Sequence, residues 1–361
     1  MGYYSLKKIL RHNADINIIY STRSNGKSFA VLQNAVEDFL NGVGGFAYVR
    51  RKNDEIKKSE VDKYFRDANF LKWLEERTEK KYNCIFYKAG DLFICRKEKN
   101  VIDKDSVTLC GAAFALQSAE SVKSLHFEFC YNIIYEEAIT RKRYLDNEPS
   151  ELEHLISTIQ RNGAARLWLI GNTVSRVCPF FNYWGLPHIR TLKAGTITDY
   201  KASFKDADGN THEVFIAVEY AENTADHSKS IAAGKSRGAI NNNEWEHDEH
   251  PKLFFKLEES EVLYTCFYEH MAFVFKMQIL FYNDAPYLYV YPYTRDGLRL
   301  SKNRDIFTER FETEPNRWNR CVLPQHELMR KLIRDNKLIF SDDLSGDEFL
   351  QCMKTFNPFR A

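Results

Sequence analysis

The sequence predicts an α/β protein whose first domain is built on a mainly parallel sheet. Up to about residue 200, short apolar runs of strand type alternate with helical patterns, as in parallel strands joined by helices. Ile16–Tyr20 leads through a polar loop into a helix-like pattern at Phe29–Phe39. Tyr131–Tyr135 and Leu167–Ile170 are apolar runs, which is typical of strands buried on both faces.

The remaining elements of this domain follow from local patterns. Phe46–Val49 is a strand that follows a glycine-rich break. Cys84–Tyr87 and Leu92–Cys95 flank Ala89-Gly90-Asp91, and we expect them to form a hairpin. Residues 149–161 are predicted to be the helix before Leu167. These elements place a first domain at residues 1–204.

The composition changes after the first domain. Residues 205–250 are rich in Asp, Asn, Lys, His and Gly and poor in large apolar side chains, so we expect a linker or small lid. An α+β domain is predicted at residues 251–361, with strands followed by closing helices. Its predicted strands are Leu263–Tyr268, Ala272–Tyr282 and Tyr287–Tyr293, and its helices include Leu328–Ile333 and Asp347–Phe356.

Composition restricts the classes of function. A net charge of +1 provides no global basic field, so any nucleic-acid binding must use local patches. The eight cysteines lie singly and predict reduced thiols rather than a zinc site. His247 and His250 have no partner cluster, which disfavours a metal site. No apolar run reaches the roughly 18 residues of a membrane span, so we expect a soluble intracellular protein.

The loop after the first strand matches the phosphate-binding pattern G-x-x-x-x-G-K-[ST] with one departure, since its first glycine is Ser21. Such a loop wraps backbone N–H groups around phosphate oxygens, while its lysine contacts the terminal phosphates and its hydroxyl contacts magnesium. The alternative is a chance Gly-Lys-Ser in a polar turn. The candidate nucleotide-binding residues are Ser21, Thr22, Arg23, Ser24, Asn25, Gly26, Lys27 and Ser28.

Two later strand ends carry polar residues suited to ATP hydrolysis. Glu136 and Glu137 follow the apolar run Tyr131–Tyr135; Glu136 would order magnesium with Ser28, and Glu137 would polarise the attacking water. Asn172 ends the next run, where an amide can contact both the water and the γ-phosphate. The alternatives are a solvated acidic cap and an ordinary turn.

Arginines near the loop and near Asn172 are candidates for stabilising transition-state charge. Arg161 and Arg166 flank the Leu167–Ile170 run, and either could act from a neighbouring subunit. Arg23 could do so within the same subunit. The alternative for each is surface charge.

Two basic clusters follow strand ends and are candidates for contacts with DNA phosphates. The alternative is a solvated charged face. The residues are Arg50, Arg51, Lys52, Lys57, Lys58, Arg141, Lys142 and Arg143.

Taken in order, four segments resemble the DNA-packaging (encapsidation) ATPases of small podophages of the picovirus type, which are terminase-like. They are Ser21–Ser28, Tyr48–Arg51, Ile133–Glu137 and Ile170–Phe181. The resemblance runs through nearly all of the first 200 or so residues and more weakly beyond. Its most specific part is the Asn-x-Val-Ser-x-Val-x-Pro segment that starts at Asn172.

The resemblance implies a P-loop ATPase domain of the additional-strand, catalytic-glutamate (ASCE) type. It implies a ring, expected to be a pentamer, that threads double-stranded DNA through the capsid portal with ATP and Mg²⁺. A packaging RNA is a further partner that the resemblance suggests. The protein would work in the host cytoplasm, docked transiently on the prohead. By motif, Lys27 and Ser28 bind phosphate and magnesium, Glu136 and Glu137 form the acidic pair, and Asn172 is the sensor. Arg161 corresponds to a finger acting in trans. The departures from the family are Ser21 and Glu136, which stands where aspartate is usual.

The resemblance also implies that the C-terminal domain has a vestigial RNase H-like nuclease fold. Two-metal cleavage needs clustered carboxylates, and Ala272–Phe281, where the first one is expected, has none. We therefore expect no nuclease activity. Two other functions remain open: a nucleotide-dependent assembly scaffold with weak hydrolysis, and a helicase or partition-type ATPase.

Overall fold

The chain folds into two compact units. The computed structural model describes residues 4–22, 25–122, 129–159, 164–186, 189, 191–205, 210–222, 248–300, 305–309 and 316–360. The first unit comprises Met1–Thr140, Tyr144–Thr173 and Tyr183–Glu244. The second comprises Arg141–Arg143, Val174–Asn182 and Trp245–Ala361.

The first unit combines helices with a large sheet. Its helices are α1 (Lys7–Leu10), α2 (Lys27–Leu40), α3 (Lys58–Tyr64), α4 (Ala68–Arg77) and α5 (Glu148–Ile159). Its strands are β1 (Ile16–Ser21), β2 (Gly45–Arg50), β3 (Cys84–Lys88), β4 (Asp91–Cys95), β5 (Lys97–Glu98), β6 (Val101–Ile102), β7 (Thr108–Ala115), β8 (Cys130–Tyr135), β9 (Arg166–Asn172), β10 (Thr196–Lys205) and β11 (Thr211–Tyr220).

The strand order of the large sheet brings the predicted functional residues to one edge. The order is β10-β11-β1-β9-β8-β2-β7-β4-β3, and the strands from β11 to β7 are parallel. Strand β9 lies between β1 and β8, as the additional strand of the predicted class. Ser21 pairs with Asn172 across β1 and β9, so the carboxyl ends of these strands lie side by side. Ligands of parallel sheets bind at that edge.

The structure confirms the predicted hairpin β3–β4. Its two turn residues, Ala89 and Gly90, have φ values of 53° and 100°. Two residues at positive φ give the primed turn that matches the twist of the paired strands.

The predicted linker begins too early. Residues 211–220 form β11, which pairs in parallel with β1 and therefore belongs to the large sheet. Ile216, Ala217 and Val218 are buried, but charged residues stand on both sides of this short apolar run. Because the composition was averaged over residues 205–250, these three buried residues did not indicate a strand. Residues 223–247 lie outside the described part.

The second unit has its own sheet and core. Its helices are α6 (Pro179–Tyr183, all but the last residue), α7 (Arg295–Leu300), α8 (Pro324–Arg334) and α9 (Asp343–Thr355), and its strands are β12 (Glu261–His270), β13 (Phe273–Tyr282), β14 (Ala285–Pro292), β15 (Ile306–Thr308), β16 (Arg317–Trp318) and β17 (Leu338–Phe340). The sheet order is β16-β15-β12-β13-β14-β17. Strands β12, β13 and β14 are antiparallel, as predicted, and β15 is parallel to β12.

The run Ala272–Phe281, which contains no carboxylate, lies mostly in β13. This is the second strand of the sheet along the chain and not the first. Strand β12 precedes β13 and carries Glu269, and Glu309 follows the parallel neighbour β15. Glu269 lies 3.4 Å from Arg295, and Glu309 Oε2 lies 2.8 Å from His270 Nδ1. Among the described residues, no group of three or more His, Cys, Asp or Glu side chains could hold a metal ion.

In the described part of the chain, none of the helices has the length and apolar character needed to cross a membrane. All eight cysteines are free thiols.

Candidate functional site: a phosphate loop facing two glutamates

The loop after β1 has the backbone expected of a phosphate site. Gly26 adopts φ 84°, a left-handed conformation that a side chain would strain, and Lys27 begins α2 directly after it. The first N–H groups of a helix lack partners within the helix, so they are free to bind an anion. Arg23 and Ser24 lie outside the described residues.

Lys27 is buried and held by protein oxygens. Its Nζ donates to Ser21 Oγ at 2.8 Å, to the Thr22 carbonyl at 2.9 Å and to Asn172 Oδ1 at 3.3 Å. Burial lowers the pKa of Lys27 to about 8, and the negative charge of Glu136 opposes this shift. The ammonium group thus contacts three oxygen atoms of the protein, as it would contact phosphate oxygens.

Ser21, which replaces the first glycine of the pattern, is the centre of this network. Its hydroxyl is fully buried, donates to the Thr22 carbonyl at 3.0 Å and also accepts from Asn25 Nδ2 at 3.1 Å. Asn25 Nδ2 reaches the Glu222 carbonyl at 2.7 Å as well. The departure from the pattern therefore adds a polar group that ties the loop together.

Glu136 faces the start of α2 from the end of β8. It is 6% exposed, forms a hydrogen bond with the Ser28 side chain and accepts one from the Tyr64 hydroxyl at 2.8 Å. Burial raises the pKa of Glu136. The structure thus brings together the two predicted magnesium ligands and adds Tyr64, which no sequence motif indicated.

Glu137 is exposed, whereas Glu136 is buried. The φ of Glu137 is 56°, a left-handed conformation that costs a non-glycine residue on the order of 1 kcal/mol. Its carboxylate is half exposed and accepts from Arg50 Nη2 at 2.9 Å. Arg50 also contacts Glu55 at 3.2 Å. The predicted DNA contact Arg50 is therefore engaged with the predicted catalytic base.

Two other predicted DNA contacts need correction. Arg51 is 6% exposed and lies against the fully buried Glu148, so DNA phosphates cannot reach it. Arg141 belongs to the second unit, where its guanidinium contacts Asp248 at 3.0 Å and Asp347 at 2.8 Å. A charged run in a sequence does not show which of its members have acidic partners.

The other basic candidates are exposed where they are described. Lys52, Lys142 and Arg143 lie at the surface, and Lys57 pairs with Asp54 at 2.7 Å. Nothing is described of the Lys58 side chain.

Of the arginines and histidines singled out, Arg161 and His247 lie outside the described residues. The Arg166 guanidinium lies 5.6 Å from the Tyr131 ring and 5.9 Å from the Trp168 ring, so it packs on aromatic faces of its own subunit. His250 Nε2 lies 2.8 Å from Asp347.

These features define a class, the α/β proteins that carry a phosphate-loop sequence pattern after the first strand and an additional strand between that loop and an acidic strand end. Within it, the chain belongs to the Podovirus DNA encapsidation protein (Gp16) family, whose profile matches residues 1–193. The resemblance predicted from the motifs is confirmed.

Individual relatives share about half of their length with the chain. It is 28% identical over 188 residues to the DNA packaging protein of Bacillus phage phi29, covering 51% of this chain and 50% of the relative. It is 29% identical over 184 residues to the DNA packaging protein of Bacillus phage B103, covering 49% and 50%.

Solved structures show a similar fold along the whole chain. The bacteriophage Phi-29 viral genome packaging motor assembly matches with a TM-score of 0.54 at 18% identity, covering 98% of this chain and 99% of that one. The Phi-28 gp11 DNA packaging motor matches with a TM-score of 0.52 at 17% identity, covering 98% of both. The predicted α/β fold with a large parallel sheet is confirmed, whereas the RNase H-like assignment of the C-terminal domain stays a prediction.

Proposed function

We propose that this chain is an ATP-hydrolysing motor that moves double-stranded viral DNA through a portal into a preformed capsid. One observation carries the proposal: Lys27 contacts Asn172 and Glu136 contacts Ser28 at the ends of parallel strands, with Glu137 next in sequence, in a member of the encapsidation family. Their types and positions are those required to bind a triphosphate and activate water.

The loop residues fit ATP and Mg²⁺. Lys27 already binds three oxygens, and the N-terminus of α2 is a helix end of the kind that binds phosphate through its backbone N–H groups. Ser28 and Glu136 supply a hydroxyl and a carboxylate, which are hard oxygen ligands of the kind Mg²⁺ prefers. Burial raises the pKa of Glu136, and a cation bound beside it would favour its ionised form. Bound Mg²⁺ neutralises charge on the phosphates.

Hydrolysis is assigned to the exposed carboxylate. Glu137 polarises the attacking water, and Asn172, which contacts Lys27 at 3.3 Å, senses whether the γ-phosphate is present. By the family resemblance, Arg161 of a neighbouring subunit neutralises charge in the transition state, with Arg23 as the candidate within the same subunit.

The expected partners follow from the family. They are double-stranded DNA, the portal of the prohead, other copies of the chain in a ring, for which we expect five, and a packaging RNA. The motor would act in the host cytoplasm while docked on the prohead. DNA binding is assigned to the exposed cations Lys52, Lys57, Lys142 and Arg143.

We propose no nuclease activity for the second unit. Each of the two carboxylates near the ends of β12 and β15 has a basic partner, since Glu269 faces Arg295 and Glu309 faces His270. Two-metal cleavage requires free carboxylates that share two ions. Linear DNA incubated with the protein and Mg²⁺ or Mn²⁺ should stay intact; fragments would overturn this assignment.

ATP hydrolysis with and without double-stranded DNA tests the motor function. We expect Glu137→Gln to bind ATP and to lose turnover, while the wild-type protein hydrolyses ATP faster when DNA is added. Undiminished turnover in Glu137→Gln would remove Glu137 as the base. Hydrolysis that is negligible in both conditions would favour the assembly scaffold, and strand separation would favour a helicase.

A further inference from the structure

Arg51 and Glu148 form a buried pair whose members are far apart in the sequence. Arg51 Nε and Nη2 donate to the two oxygens of Glu148 at 2.8 and 2.9 Å. The Glu148 side chain has no exposed surface, and it also accepts from the Tyr135 hydroxyl at 2.6 Å and the Leu145 N–H at 2.8 Å. The planar guanidinium is therefore held by a two-point contact that a lysine could not reproduce.

The remaining N–H groups of Arg51 are directed at the backbone beside the acidic pair. Nη1 and Nη2 each lie 3.2 Å from the Glu137 carbonyl oxygen, and Nη2 lies 3.1 Å from that of Ala138. The guanidinium thus connects a buried carboxylate to the peptide units that carry Glu137.

That backbone is fixed from both sides in a strained conformation. The Glu136 N–H donates to the Val49 carbonyl in β2 at 3.1 Å, and the Ala138 N–H donates to the Ile170 carbonyl in β9 at 2.9 Å. Glu137 between them has φ 56°. A non-glycine residue keeps such a conformation only where its surroundings determine it, and such residues cluster at functional sites.

We propose that Arg51 and Glu148 act as a positioning pair that fixes the backbone of Glu137 and so aims its carboxylate at the attacking water. The proposal rests on the proposed role of Glu137. The Glu137 side chain is 56% exposed and its carboxylate contacts Arg50 at 2.9 Å, so its direction depends on that ion pair and on the backbone that carries it. Misplacing a reacting group by about 1 Å can cost on the order of a hundredfold in rate.

The test removes both members of the pair together. Arg51→Met alone would leave a buried carboxylate without its partner, whereas the double variant Arg51→Met/Glu148→Gln removes both charges of the pair. We expect its turnover at saturating ATP to fall about 10- to 100-fold. The dissociation constant for ATPγS with Mg²⁺ should change less than about threefold, because Lys27 is held by Ser21, Thr22 and Asn172 rather than by the pair.

A second ion pair provides the matched control. Arg77 donates three hydrogen bonds to Glu37 at 2.7 to 3.0 Å, in the same unit but partly exposed and without contact to Glu137. Arg77→Met/Glu37→Gln should leave both turnover and affinity unchanged. If Arg51→Met/Glu148→Gln lacks the wild-type circular dichroism spectrum, Arg51→Lys replaces it; that variant keeps the charge but loses the fork, and should still lower turnover.

Combination with Glu137→Gln separates positioning from a general structural role. In the Glu137→Gln background, removing the pair should not lower the residual turnover further. An equal fractional loss in both backgrounds, or unchanged turnover in the wild-type background, would overturn the proposal. Full turnover in Glu137→Gln itself would instead overturn the proposed role of Glu137.

Discussion

Replacing Ser21 with alanine should lower the stability of the nucleotide-free protein and increase its affinity for nucleotide. In the structure, the Ser21 hydroxyl accepts from Lys27 Nζ at 2.8 Å and from Asn25 Nδ2 at 3.1 Å. For Lys27 to reach a phosphate, we expect its contact with Ser21 to lengthen or break. The hydroxyl would then stabilise the empty loop more than the occupied one.

The size of both effects follows from the contacts that are lost. A hydrogen bond to a charged group contributes about 1.5–3 kcal/mol and one between neutral groups about 0.5–1.5 kcal/mol. Since Lys27 and Asn25 each keep other partners, Ser21→Ala should lower the free energy of unfolding by about 2 kcal/mol. If about 1.5 kcal/mol of this loss in stability applies to the nucleotide-free state only, the affinity for the nucleotide rises about tenfold.

The assays are chemical denaturation without nucleotide and calorimetric titration with ATPγS and Mg²⁺. Ser345→Ala is a matched control, because Ser345 is also a buried serine and its hydroxyl contacts Asp342 at 2.8 Å. It should lose comparable stability and keep wild-type affinity. If Ser21→Ala is less stable but binds ATPγS no more tightly than wild type, Ser21 does not stabilise the empty loop selectively.

Four further predictions concern charge. Because the pKa of Lys27 is lowered to about 8, ATP affinity should fall as the pH rises through 8, and Lys27→Met should abolish this dependence in titrations from pH 7 to 9. The same shift destabilises the fold below pH 8, and this cost should fade between pH 8 and 10.5, which denaturation across that range checks. Burial raises the pKa of Glu136 and its hydrogen bond with the Tyr64 hydroxyl opposes this shift, so Tyr64→Phe should raise the pKa further and move the acid limb of the ATPase pH profile to higher pH. Lys52→Ala should reduce the salt dependence of DNA affinity by about one ion, whereas Arg51→Lys should leave that slope unchanged.

The sequence predicted the elements whose signals are local. The strand, loop and helix around Lys27 follow one another directly, and the acidic and amide strand ends each adjoin an apolar run. Parallel strands then bring these ends together without any further information, as the pairing of Ser21 with Asn172 shows.

The features that were missed depend on partners distant in the sequence. Strand β11 is polar at both ends, and it is recognisable as part of the sheet only through its pairing with β1. Tyr64 lies on α3 and contacts Glu136, which follows β8. Arg141 pairs with an acidic residue that comes 206 residues later, Asp347. A pattern read along the chain records which side chains are charged, but burial and pairing are properties of the folded arrangement.

The pair Arg50 and Arg51 shows why a basic cluster at a strand end is ambiguous. Arg50 is the last residue of β2 and Arg51 directly follows the strand, and these two neighbouring side chains contact different groups. Here Arg50 contacts the Glu137 carboxylate, and Arg51 contacts the Glu137 carbonyl and Glu148. Both therefore hold the same residue, one by its side chain and the other by its backbone. A variant that removes both would change the direction of Glu137 without removing a DNA contact, so its loss of turnover should appear equally with and without DNA.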